Sequence, residues 1–520
     1  MSVTAIETGA AAPSASSSGT GSLSLRTAVL IVIAITAWRI AMLAFNRTDL
    51  FVDEAQYWLW SQNLDFGYYS KPPMIGWVIR MFTIIGQSDS SFWIRLPAPL
   101  FHMATALLLI PIARRTIGSD AGPWAAVTFA TLPAVSLSGV LISTDTIQLT
   151  FVACAILLFL RLTEHAAVPT AAGLGLALGL AFMTKYSVLF LIPGVGGAML
   201  LLPRARIRWR DALIAASVGT LVVLPNLWWN VLHQGITIQH TESIANWNGE
   251  EGKRGFRLAA GTEFLSAQFA VVGPIVFTAL IMAIPGTIRG FRRSNPGDTG
   301  LNLLAWLSLP CVALLTVQAF FGGANANWAV PAYVAGTVLA TGILLSLPRP
   351  VMRSSLVINA VAVVAIPVLT VIPQAFNLPG GQPVMKRFIG RSDISAFAGD
   401  MARKTNIPVI VADNRPILSD LFYTLRGQGM SIYARPSLGS PRNYYEQIFP
   451  LPPTQTGPVL YVSEARVECR VTAAEEVGRL DVKTGYRAGH TVHAYRLPAD
   501  CLLPSGSSAG QGTDRAAPAP

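Results

Sequence analysis

Apolar runs of membrane-spanning length recur along the chain from Thr27 almost to Pro373, separated by short polar loops. A bilayer core of about 30 Å takes roughly 20 apolar residues per helix. On that measure the pattern predicts eleven spans, near residues 25–45, 91–113, 122–141, 146–162, 169–184, 187–203, 212–230, 264–288, 301–321, 328–347 and 354–373. Two shorter apolar stretches, Tyr57–Trp60 and Met74–Ile85, cannot cross a bilayer and are expected to lie in its interface as amphipathic helices within a first loop of residues 46–90. Beyond residue 375 the period changes. Strand-like runs such as PVIVAD and PVLYVSE alternate with amphipathic stretches, which predicts a soluble α/β domain over 376–504. Residues 1–24 and 505–520, rich in Ser, Ala, Gly and Pro, are expected to be disordered tails.

Composition agrees with the pattern: 52% of residues are hydrophobic and 12% charged, too apolar for an ordinary soluble protein. The net charge of +11 would suit nucleic acid if it were concentrated on one surface. It is instead spread over Arg114 and Arg115, Arg204 to Arg210, Arg289 to Arg293, and Arg349 with Arg353, in alternate loops. That is the positive-inside distribution, so no nucleic-acid partner is expected. It places the N-terminus in the cytoplasm, and the first loop and the α/β domain on the outer side. Cys469 and Cys501 both fall in that outer domain, where an oxidising compartment would permit a disulfide. No metal-ligand spacing occurs, and no cofactor is expected, with a divalent metal left open.

Candidate chemistry gathers in the outer loops. The first carries LFVDEAQYWLWSQNLDFGYYSKPPM, from Leu50, with adjacent carboxylates Asp53 and Glu54, many aromatic rings and Lys71 before two prolines. Asp53 and Gln56 have the spacing of a helix capping box, so the carboxylate has a purely structural explanation beside a catalytic one. Other loops on the same side add Asp145 in STDT and Lys185 with Tyr186 in TKYS. A longer loop brings His240, Arg254 and Arg257, and GGANANW brings Asn327 and Trp328. Carboxylates suit proton abstraction or charge stabilisation, cations suit phosphate, and aromatic faces suit sugar or lipid. A lipid-linked phosphosugar needs all three.

DEAQYWLWSQNLDFGYYSKPPMIGW, RLPAPLF, STDT, FMTKYS, PNLWWNVLHQGITIQHT, EFLSAQ and NANWAVPAY occur in that order. Together they resemble the bacterial membrane glycosyltransferases related to protein O-mannosyltransferases and the lipid A aminoarabinose transferase. The resemblance covers residues 30–375 and implies a polytopic C-type glycosyltransferase fold in the inner membrane. It also implies a polyprenyl-phosphate sugar donor and inverting transfer to a periplasmic lipid, glycan or protein. Asp53 would be the essential first-loop carboxylate, with Glu54 beside it and Asp145 as the second acidic position. Tyr68 and Lys71 would contact donor phosphate. From the chemistry of the loops alone, Lys185, Arg254 and Arg257 are expected to help bind that phosphate, and Tyr69, Tyr186, His240, Asn327 and Trp328 to line the substrate site. Two other classes compete: a lipid-linked sugar transporter or flippase, which would show repeated halves and ionisable residues at mid-membrane depth, and an anchoring protein whose spans carry no convergent polar loops.

Overall fold

The computed structural model describes residues 23–245, 255–290, 299–467, 469 and 474–503. Most of both expected tails lies outside them. Among the described residues seven helices are long and apolar enough to cross a membrane. They are Leu25–Ala44, Ser91–Thr116, Thr144–Glu164, Trp209–Leu232, Gly300–Phe321, Ala326–Ser346 and Arg349–Val371. An eighth is possible if Leu258–Val272 and Pro274–Pro285, bent by 119°, count as one.

All eleven expected segments are helical, but four are not straight full-length spans. The reason is that hydropathy sums composition over a window and is blind to breaks. The 122–141 segment divides into Ala121–Thr131 and Pro133–Ser138. Arg39, buried in the first helix, donates to Ala130 O at 2.8 Å and Ser136 Oγ at 3.3 Å, tying the two pieces together across the break. The 264–288 segment turns sharply at Gly273, whose φ is 90°. A Cβ there would come within 2.2 Å of Asn359 Oδ1, and Pro274 starts the next helix. Val168–Thr184 and Tyr186–Leu201 are shorter apolar helices. The first lies close against Trp209–Leu232 because Gly175 lets the backbones approach: a Cβ would sit 2.3 Å from Ala215 O.

The C-terminal domain carries a five-stranded sheet of strands β1 (Val409–Ala412), β2 (Ser431–Ala434), β3 (Pro458–Ser463), β4 (Glu475–Asp481) and β5 (Thr491–Pro498), ordered β2-β1-β3-β5-β4. The continuous apolar runs of β1 and β3 occupy parallel, doubly covered positions at its centre, while the charged β4 forms an antiparallel edge. Cys469 and Cys501 form a disulfide that ties the chain before β4 to the end of β5.

Two expectations for the first loop change. The helix Val52–Gln62 is buried on nearly every side, packed against Met74–Gly86 and the domain helix Arg415–Thr424, so it has no free apolar face to lay on a bilayer. Met74–Gly86 does keep an exposed apolar edge at Met81, Ile84 and Ile85. The capping reading of Asp53 also fails. Phe51 is the N-cap of the helix, and Glu54, in its third position, accepts from Phe51 N at 2.9 Å.

Glu54 does more than cap. Only 2% exposed, it pairs with buried Arg95 at 2.7 Å and accepts from Ile142 N at 2.8 Å. Arg95 in turn donates to Thr48 Oγ1 at 3.0 Å and Asp49 O at 2.7 Å. Glu54→Ala would strand a buried guanidinium, at a cost of about 3–5 kcal/mol. Purified Glu54→Ala should melt well below wild type or fail to accumulate, with Glu54→Gln intermediate; an unchanged melting temperature would refute this role.

Candidate active site

Asp53 lies in the first turn of the helix Val52–Gln62, where a carboxylate complements the helix dipole. Freed of capping, it meets Arg415 Nη2 at 2.5 Å, and the same guanidinium donates from Nε to Gln56 Oε1 at 2.8 Å. Asp145 occupies the equivalent place on Thr144–Glu164, where Ser143 is the cap. Lys185 follows the last turn of Val168–Thr184 in extended conformation, and its Nζ reaches Asp145 Oδ1 at 2.6 Å. Asn327 Nδ2 donates to the other oxygen, Oδ2, at 2.8 Å. Gln148 holds the lysine backbone by donating to Lys185 O at 2.5 Å.

Asp53, Gln56, Arg415, Asp145, Lys185 and Asn327 line one cavity of about 740 Å³ at the junction of bundle and C-terminal domain. Lys71, Tyr69, Tyr186, His240 and Trp328 line it too. Burial pushes the Lys71 ammonium down to about 8, and the neighbouring Lys185 cation adds to the shift against the opposing pull of Asp53 and Asp145. Lys71, Lys185 and Arg415 therefore face the same volume as Asp53 and Asp145. Burial, with Lys71 and Arg415 nearby, pushes His240 down to about 4, so its ring is neutral at pH 7. It lies against the Tyr69 ring at 4.9 Å between centroids, and the Tyr69 hydroxyl donates to Pro441 O at 3.0 Å. Tyr186 donates to Asn226 Oδ1 at 2.8 Å and receives Asn230 Nδ2 at 3.2 Å.

Tyr68 and Arg257 stand apart from this cavity, and Glu54 borders it without offering a carboxylate to it. Both Glu54 oxygens are taken up by Arg95 and two backbone amides, which makes it a scaffold for the loop. Tyr68 is buried, stacks on Trp60 at 4.5 Å, and donates its hydroxyl to Trp60 O and Asn63 O, so it does not line the cavity. Its backbone does serve the site: Tyr68 N donates to Lys71 O at 3.1 Å and Thr237 Oγ1 donates to Tyr68 O at 2.7 Å, fixing the turn that presents Lys71. Arg257 borders a second cavity of about 350 Å³, which shares Ile244, Asn325 and Trp328 with the first. Arg254 lies outside the described residues. A cluster of three His, Cys, Asp or Glu groups suited to a metal is absent among the described residues.

Arg415 is the residue that sequence reasoning missed. It sits in DNRPILSD, whose Asn-Arg-Pro signals a helix start, as observed, but nothing local indicates that its side chain crosses to a loop more than 350 residues earlier.

Residues 70–229 match the family described as dolichyl-phosphate-mannose-protein mannosyltransferase. The chain is 47% identical over 483 residues to the lipid A galacturonosyltransferase RgtD of Rhizobium johnstonii, covering 93% of this chain and 100% of that one. It is 24% identical over 416 residues to the lipopolysaccharide core galacturonosyltransferase RgtA of the same organism, covering 75% and 79%. In fold it is similar to ArnT from Cupriavidus metallidurans in the apo state, with a TM-score of 0.61 at 14% identity, covering 92% of this chain and 99% of that one. It is also similar to ArnT bound to undecaprenyl phosphate, with a TM-score of 0.58 at 14% identity, covering 93% and 100%. A C-type architecture, a cavity lined by paired carboxylates and cations, and a near-full-length relative at 47% identity converge: the chain is a multi-pass membrane glycosyltransferase and belongs to the bacterial family of protein O-mannosyltransferase and lipid A aminoarabinose transferase-like enzymes.

Proposed function

We propose that the enzyme transfers a galacturonosyl residue from a polyprenyl-phosphate donor to lipid A, in a cavity that opens to the periplasm. The single observation that supports this best is the meeting of Asp53, Asp145, Lys71 and Lys185 around one cavity between bundle and outer domain. The sugar and acceptor follow the 47% identical relative, a lipid A galacturonosyltransferase, and the lipid donor follows the fold shared with a protein that binds undecaprenyl phosphate.

The bond between the anomeric carbon and the phosphate oxygen breaks, and its electron pair leaves with polyprenyl phosphate. An acceptor oxygen forms the new bond from the opposite face, which inverts the centre. Lys71 and Lys185 meet the negative charge that grows on the departing phosphate. Asp53 faces the anomeric carbon, where positive charge develops. A hydroxyl acceptor gives its proton to Asp53, whereas an ionised phosphate acceptor needs no base and uses the carboxylate for charge alone. Asp145, neutralised by Lys185 and held by Asn327, orients that lysine. Tyr69, Tyr186 and Trp328 offer faces for the sugar ring.

Purified enzyme in proteoliposomes should move radiolabelled galacturonate from polyprenyl phosphate to lipid A. Passage of intact donor across the bilayer without transfer would support a flippase instead. In intact cells a cysteine at Ser440, exposed beside the cavity, should react with an impermeant thiol reagent; protection until lysis would reverse the orientation.

A further inference from the structure

We propose that Arg415 is a positioning residue for Asp53, which makes the extramembrane α/β domain a working part of the catalytic centre. The inference rests on the reading of Asp53 as the carboxylate that acts on the sugar.

Among the described residues Arg415 is the hydrogen-bond partner of the Asp53 carboxylate, through Oδ1. Its guanidinium is held at two points on one helix face, Asp53 and, three residues on, Gln56. A planar fork gripped in this way fixes the direction of the carboxylate as well as its charge, which an ammonium could not do. Asp53 otherwise remains half exposed to the cavity, with a side-chain exposure of 47%, and would rotate freely without this hold.

The arginine is itself placed by how the domain docks. It is the first residue of the helix Arg415–Thr424, directly after β1. The same helix grips the first loop again at its far end, where Tyr423 donates to Asp89 O at 3.0 Å and packs edge-on against Trp58 at 5.0 Å. A second helix, Arg391–Thr405, has its N-terminus capped from the first loop by Asp49, which accepts from Arg391 N at 2.7 Å and Ser392 Oγ at 2.7 Å. The Arg391 guanidinium covers Tyr486 at 3.7 Å and approaches Phe51 at 5.3 Å, two residues before Asp53. Docking at three places thus determines where the guanidinium meets the carboxylate. The two parts of the chain build the site jointly.

The test compares Arg415→Ala, Arg415→Lys and Asp53→Asn in single-turnover transfer, with donor affinity and melting temperature measured on each. Arg415→Ala should lower the rate ~100-fold at pH 7 and leave donor affinity unchanged. Arg415→Lys, which keeps the charge but lacks the fork, should restore only part of the rate, again at unchanged donor affinity. A loss of donor affinity that accounts for the lost rate would overturn the proposal, because Arg415 would then bind the donor itself. A wild-type rate in Arg415→Ala would overturn it too. If Asp53→Asn stays active, it is the assignment of Asp53 that fails, whatever the arginine variants do. Should Arg415→Ala not fold, Arg415→Lys decides by the same split of rate against affinity.

Discussion

Asp53→Asn is expected to accumulate and melt like wild type while transfer falls by ~10²- to 10⁴-fold. Folding should survive because the capping work of this turn belongs to Glu54, and because an amide oxygen can still accept from Arg415 at nearly the same place. What is lost is charge. An amide neither takes a proton from a hydroxyl acceptor nor stabilises positive charge at the anomeric carbon. Donor affinity should change little, since in the proposed mechanism the phosphate is met by Lys71 and Lys185, which this substitution leaves in place. The pattern to measure is a collapsed single-turnover rate with intact donor binding in proteoliposomes. Activity within a fewfold of wild type would leave the Asp53–Arg415 pair as a docking contact only.

Lys71→Ala should weaken donor binding and lower turnover together, because in the proposed mechanism the ammonium contacts a phosphate both before and during its departure. The lysine precedes Pro72, which drives it out of helical conformation, and the hydrogen bond from Tyr68 N to Lys71 O closes the turn around it. Its stem is therefore fixed. Lys71→Arg should rescue only part of the loss, since a planar fork does not reproduce a point charge. The pH dependence follows from the lowered value of about 8. The charged form binds phosphate below that value and is lost as pH rises through it, whereas an ordinary lysine would hold its charge to about 10.4. Wild-type donor affinity should fall between pH 7 and 9, and this fall should vanish in Lys71→Arg. A flat profile over that interval, or full activity in Lys71→Ala, would reduce the residue to an interfacial anchor.

The chemistry of the first loop was legible because it is local. Two carboxylates, aromatic rings and a lysine before two prolines occupy a short stretch beside an apolar run, and no arrangement of the rest of the chain changes what those groups are. The membrane class was legible for a similar reason: transfer of apolar side chains into lipid depends on composition summed along a segment. The number of straight spans was not. Breaks at Leu132–Pro133 and Gly273–Pro274 depend on a buried arginine from another helix and on a neighbour that leaves no room for a Cβ.

The assignment of roles to neighbours in sequence was also a tertiary matter. Asp53 and Glu54 are adjacent and chemically alike, yet successive helical positions differ by about 100° in direction. One carboxylate therefore points into the cavity, and the other into a shell of Arg95, Phe51 N and Ile142 N. Tyr68 and Tyr69 divide in the same way, the first stacked on Trp60 and the second beside His240. By itself the sequence determined which groups were available and on which segments they ride, since both follow from covalent neighbourhood and local hydropathy. Only the tertiary structure decided which of them share a cavity, and brought Arg415 from the C-terminal domain onto Asp53, because a contact across 362 positions is set by how the domain docks and leaves no periodic trace along the chain.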